Sequence, residues 1–172
     1  MVAATSLVFS LQALLGLSLL QGSASDVPRE LKPPEGQVLI LPAHGKGRQI
    51  YTCQSAAGQY SWKLKAPDAQ LFDSRGDRVG RHFAGPTWEA NDGSRVMGKV
   101  VASLPSADAD SVPWLLLDVH STGGPGTLSK VKSIQRLHTK GGKAPAGGCD
   151  AAHERVETSV SYTADYYFYG TK

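Results

Sequence analysis

The residues best equipped for chemistry lie in one block, GRHFAGPTWEANDGS at 80–94. Within it His82, Glu89 and Asp92 are candidate metal ligands or acid–base groups, and Trp88 offers a ring for stacking. In a strand, positions 82, 88 and 92 share parity and project from one face, although Gly85-Pro86 interrupts the run. Two readings follow. In one, His82 and Glu89 face a ligand or metal in a cleft, as in an extracellular metal-dependent or hydrolytic enzyme. In the other, His82 satisfies a buried backbone group, Trp88 fills the core and Asn91-Asp92-Gly93-Ser94 closes a hairpin. The second is preferred, because every residue type in the block has an ordinary structural use.

Other chemistry is thinly represented. Ser94, His82 and Asp92 include the residue types of a hydrolytic triad, but no spacing selects them and the chain has no GxSxG nucleophile elbow. The five histidines (His44, His82, His120, His138, His153) form no HxH, HxxxH or HExxH pair, so a metal site would have to assemble from distant strands. Arg75-Gly76-Asp77 is an RGD tripeptide at an expected hairpin tip, where Gly and Asp are also what a turn requires. Tyr167 and Tyr169 are expected to face outward from a strand that turns Tyr162, Tyr166 and Phe168 inward, which makes them the better candidates for stacking on a ligand. The expectation is of no catalytic residues, no metal and no cofactor. Candidate binding residues are His82, Trp88, Glu89, Asp92, Tyr167 and Tyr169.

The elements that must position these residues read as strands. QVLILP (37–42) is a short apolar strand. RQIYTCQ (48–54) and QYSWKLK (59–65) alternate, the latter with Tyr60, Trp62 and Leu64 expected on a buried face. Asp73-Ser74-Arg75-Gly76 and Asn91-Asp92-Gly93 mark two hairpins. VPWLLLDVH (112–120) is a central strand, apolar on both faces. TLSKVKSIQRLHT keeps no clean period and reads as a strand with a bulge. TKGGKAPAGGCD is a loop pinned at Cys149, and RVETSVSYTADYYFYG is a long final strand. No helix is expected between 37 and 170. Many short strands with frequent turn signals predict a mostly β, antiparallel sandwich or barrel in a single domain, 37–172, preceded by an extended Pro-rich lead-in at 26–36.

Residues 7–20 form an apolar run followed by Gly22-Ser-Ala-Ser25, the order of a signal peptide occupying 1–25. The run is short for a membrane span, which needs about 20 apolar residues. A secreted, extracellular protein with no membrane span is expected. In that compartment Cys53 and Cys149, the only cysteines, should pair. A net charge of +3 is too mild to point to nucleic acid. The remaining partners are an extracellular glycan or protein, bound by a non-enzymatic domain.

QIYTC (49–53), HFAGPTWEANDGS (82–94), PWLLL (113–117), IQRLHTKGGKAP (134–145), GCD (148–150) and the Tyr-rich ending resemble an uncharacterised secreted family of bacteria, fungi and some plants, classed as a domain of unknown function. The resemblance covers nearly the whole mature chain; it implies secretion and a single domain, and no activity. Some members carry the label malate dehydrogenase. Gly45-Lys46-Gly47-Arg48-Gln49-Ile50 is the nearest approach to a dinucleotide fingerprint, but Ile50 stands where the third Gly belongs and QIYTCQ continues as a strand where a helix is required. The label is rejected.

Overall fold

Alternation is clearest at the C-terminus, where Tyr162, Ala164, Tyr166, Phe168 and Gly170 are buried and every residue between them is less so. A strand with one buried face needs a neighbour on each edge and a core beneath it. The computed structural model, which describes residues 27–172, supplies both by closing the sheet on itself. Eight antiparallel strands follow in chain order: β1 Val38–Ala56, β2 Gln59–Phe72, β3 Arg78–Phe83, β4 Thr87–Ala90, β5 Arg95–Leu104, β6 Trp114–Gly123, β7 Val131–Gly141 and β8 Glu157–Gly170. Each pairs with the next, and β8 returns to β1 from Val38↔Gly170 to Thr52↔Glu157. The segment read as a signal peptide lies outside the described residues.

The result is an up-and-down barrel, which resolves the choice between sandwich and barrel. With eight strands the interior is about wide enough for side chains to fill. Here Trp88, Leu117, Ile134, Tyr166 and Phe168 fill it. Gly45 on β1 makes room for that filling, and Gly47 allows β2 to approach β1 closely. A Cβ at Gly45 would lie 2.6 Å from the Tyr166 ring, and one at Gly47 would lie 2.1 Å from the Asp68 carbonyl oxygen. β1 runs unbroken through both glycines, so the dinucleotide-like sequence is strand throughout. A meander places successive turns at alternating ends. The connections 57–58, 84–86, 105–113 and 142–156 lie at one end, here termed upper, and 73–77, 91–94 and 124–130 at the other.

Four expectations need correction. The segments 37–42 and 48–54 are parts of one strand, β1. Leu64 is 57% exposed rather than buried, because β3 reaches only Ala69–Phe72 of β2 and leaves the β1–β2 hairpin standing above the barrel. A 3-10 turn, Ala151–His153, interrupts the 142–156 connection, capped by the Asp150 carboxylate. The lead-in is not extended throughout: Arg29–Leu31 form another 3-10 turn that inserts Leu31, 0% exposed, among Leu116, Leu137, Trp114 and Tyr167 on the outside of the barrel. That outer cluster explains why VPWLLLDVH is apolar on both faces: Leu117 faces the interior and Leu116 the strap. The expected bulged strand is β7, with register shifts at Val131/Ser133 and Leu137/Lys140. Cys53 and Cys149 are disulfide-bonded, tying the protruding hairpin to the 142–156 connection.

Candidate functional site

The block at 80–94 spans β3, β4 and their turns, and the pleat distributes its side chains to different places. His82 and Trp88 are cross-strand partners, both inward. Their rings stack 4.1 Å apart at 7°, and the Tyr166 ring meets both edge-on. His82 is 3% exposed and its Nδ1 lies 2.8 Å from the Thr87 carbonyl oxygen. Burial pushes its imidazole down from 6.5 to about 3, so it is neutral at ordinary pH. Glu89, the next residue after Trp88, points the other way. Its Oε1 accepts from Arg81 at 2.8 Å and its Oε2 from Arg95 at 2.9 Å, on the outer surface.

Asp92 serves the lower end of the barrel. Its Oδ1 accepts from the amide and hydroxyl of Ser94 (2.9 and 2.5 Å), and its Oδ2 from the amide and hydroxyl of Thr127 (both 2.7 Å). The hydrogen bond from the Ser94 hydroxyl, then those of Thr127, hold its carboxyl well below the usual carboxylate range. Ser94 Oγ also accepts from the Leu128 amide. Asp92 thus staples the 91–94 turn to the 124–130 loop, and Ser94 is spent in the same staple. The proposed cleft of His82, Trp88, Glu89 and Asp92 does not assemble: two residues are core, one is an outer ion pair and one is a turn clamp. Among the described residues no group of three His, Cys, Asp or Glu side chains forms a metal site. At the RGD tripeptide the Arg75 guanidinium folds back onto Asp73 and Asp77, at 3.1 and 3.2 Å.

The exposed chemistry lies on the outer face of β8 and its two neighbours. Odd residues of β8 point outward: Thr163, Asp165, Tyr167 and Tyr169. Register sets His44 of β1 opposite Asp165, and Pro42 opposite Tyr167. On the other edge the β7 bulge brings His138 alongside, its backbone at φ +48°. A left-handed conformation is unusual for a side-chain-bearing residue and is tolerated where the surroundings hold it. Asp165 takes one imidazole on each oxygen: His44 Nδ1 at 2.9 Å from Oδ1 and His138 Nδ1 at 2.9 Å from Oδ2. Both imidazoles are about half exposed. Trp114 meets the His138 ring edge-on at 5.2 Å, and Tyr167 flanks Trp114 in the outer cluster. Lys46 and Lys140 border the row beside Thr163.

This arrangement fixes two imidazoles and two aromatic rings around one carboxylate. A neutral imidazole that donates from Nδ1 presents Nε2 as an acceptor. Tyr167 and Tyr169 were visible in the sequence as outward residues of a strand. His44, His138 and Asp165 were not, since 121 and 27 residues separate the pairs and the bulge at His138 destroys its parity with the rest of β7.

The structure defines the chain as a small, closed, eight-stranded antiparallel barrel with a filled interior. It belongs to the family described as "Protein of unknown function (DUF3455)", whose model matches residues 33–170. No curated protein and no solved structure matches it.

Proposed function

We propose that the protein is a secreted, non-enzymatic binding module that holds an extracellular glycan on the outer face of β8, across Asp165, His44, His138, Tyr167 and Trp114. The observation that carries this reading is the carboxylate of Asp165 held between two half-exposed imidazoles, one strand residue pair away from an aromatic ring. A sugar presents hydroxyls that both donate and accept, beside an apolar C–H face. The row offers acceptors at two imidazole Nε2 atoms, donors at Lys46 and Lys140, and rings for the C–H face. Because the imidazoles are oriented by the protein's own hydrogen bonds, little ordering cost falls on binding. The apolar N-terminal segment at 7–20 and the Cys53–Cys149 disulfide favour an extracellular location.

A panel of immobilised neutral and acidic oligosaccharides tests the proposal. Wild type should retain at least one of them, and Tyr167→Ala and Asp165→Asn should each weaken binding by about tenfold, a change of about 1.4 kcal/mol. Retention undiminished in both variants, or no retention of any oligosaccharide by folded wild type, would refute it.

A further inference from the structure

The upper end of the barrel carries a second feature, unconnected with the β8 row. Between the 105–113 loop and the chain that follows β7 lies an open cavity of about 550 Å³, lined by Tyr51, Val112, Pro113, Ser111, Lys143 and Ala144 among others. Cavities of that order accommodate small organic ligands. Most of the lining is apolar: Pro105, Ala107 and Ala109, with Val112, Pro113, Ala144 and the Tyr51 ring.

The charged groups around it are unevenly matched. Lys143 Nζ donates to the Ala109 carbonyl oxygen at 2.7 Å. Arg136, in inward register between Leu115 and Tyr166, donates from Nε and Nη2 to the carbonyl oxygen of Pro113, itself a lining residue, at 3.1 and 2.9 Å. Neither cation forms an ion pair with a carboxylate among the described residues. The lining carboxylate, Asp108, turns its oxygens to the Ser111 hydroxyl and the Asp110 amide of its own loop. Gln49, 1% exposed and not part of the lining, has no acceptor for its amide Nε2. Its stem lies close to Gly142, whose carbonyl oxygen accepts from the hydroxyl of the lining residue Tyr51 at 2.5 Å. A Cβ there would stand 3.2 Å from both Gln49 Cγ and Val112 Cγ1 and 2.7 Å from Tyr162 Cβ, at φ +85°.

Lys143 and Arg136 are thus two cations whose hydrogen bonds go to neutral carbonyl oxygens, with no carboxylate among the described residues to balance their charge. We propose that this cavity binds a small amphipathic anion, with its carboxylate toward Lys143 and Arg136 and its apolar body against Tyr51, Val112 and the prolines. The guanidinium is suited to exchange a single carbonyl for a bidentate carboxylate.

Octanoate and its methyl ester, titrated against the full mature protein by calorimetry and thermal shift, separate charge from hydrophobicity. Octanoate should bind saturably and raise the melting temperature, and the ester should do neither. Lys143→Gln, at the exposed rim where folding is not at stake, should weaken octanoate by about tenfold. Arg136→Gln should weaken it at least as much. Lys99→Gln, an exposed charge change on β5, should leave it unaltered. Equal responses to octanoate and ester, no response to octanoate, or unchanged affinity in Lys143→Gln would overturn the proposal.

Discussion

The same residue types appear on both sides of this barrel wall and do opposite work. Inside, His82 lies flat on Trp88 and against Tyr166, neutral and out of reach of solvent. Outside, His44 and His138 flank Asp165 beside Tyr167 and Trp114, half exposed and oriented by a charge. The inner histidine is a flat, polar-edged packing piece whose Nδ1 is satisfied by one carbonyl. The outer pair is held by a carboxylate and leaves ring atoms free. A histidine near an aromatic ring therefore says little about function until its face of the sheet is known.

The comparison is broken most severely from the inside. Trp88 is 2% exposed and contacts rings on two sides, so Trp88→Ala should cost about 3–5 kcal/mol in chemical denaturation. Typical domain stability is about 5–15 kcal/mol, so the variant should melt far below wild type or fail to accumulate folded. A melting curve superimposable on wild type would remove Trp88 from the core and return it to the candidate ligand platforms.

Acid separates the faces next. The unfolded chain protonates His82 near 6.5, whereas the folded protein resists until about 3. Between those values the unfolded state holds the extra proton, so stability is full above about 6.5 and falls as the pH drops toward 3, by up to about 1.4 kcal/mol per pH unit. Asp92 acts in the same direction over a lower window, since its depressed carboxyl loses its advantage only as pH falls below the ordinary carboxylate value of 3.8. Urea unfolding at pH 7, 6, 5 and 4 should show the slope in wild type and a slope smaller by one proton in His82→Phe. Identical slopes would mean that His82 is not the group withheld from protonation.

How much of this was legible in the sequence depended on distance along the chain. Period-two alternation exposed β8, and an unbroken apolar run exposed the two buried faces of β6, because each side chain's burial follows from its immediate neighbours. Cys53 and Cys149 were legible because no other pairing existed. Closure of the sheet was not, since β1·β8 pairing joins residues more than a hundred positions apart and leaves no local period. Leu64 was misplaced for a related reason. Its alternation with Lys63 and Lys65 is that of a half-buried strand, yet burial requires a third strand and β3 is too short to provide one. Glu89 and Asp92 were grouped with His82 by proximity in sequence, and the pleat and the turn then parted them.

The smallest expected effect falls on the outside of the barrel. Asp165, His44 and His138 are held by exposed charge–imidazole contacts, which in water contribute little to folding, typically about 0–1 kcal/mol. Asp165→Asn keeps the size and the planar shape of the side chain, and its carbonyl oxygen still accepts from one imidazole. Its denaturation midpoint at pH 7 should therefore stay within about 0.5 kcal/mol of wild type. A loss of several kcal/mol would show that the row is part of the barrel's framework, as the His82–Trp88 stack is, and that the two faces do not differ as argued. A silent stability change combined with weakened oligosaccharide retention would separate them cleanly, because a structural residue loses both properties together and a binding residue loses only one.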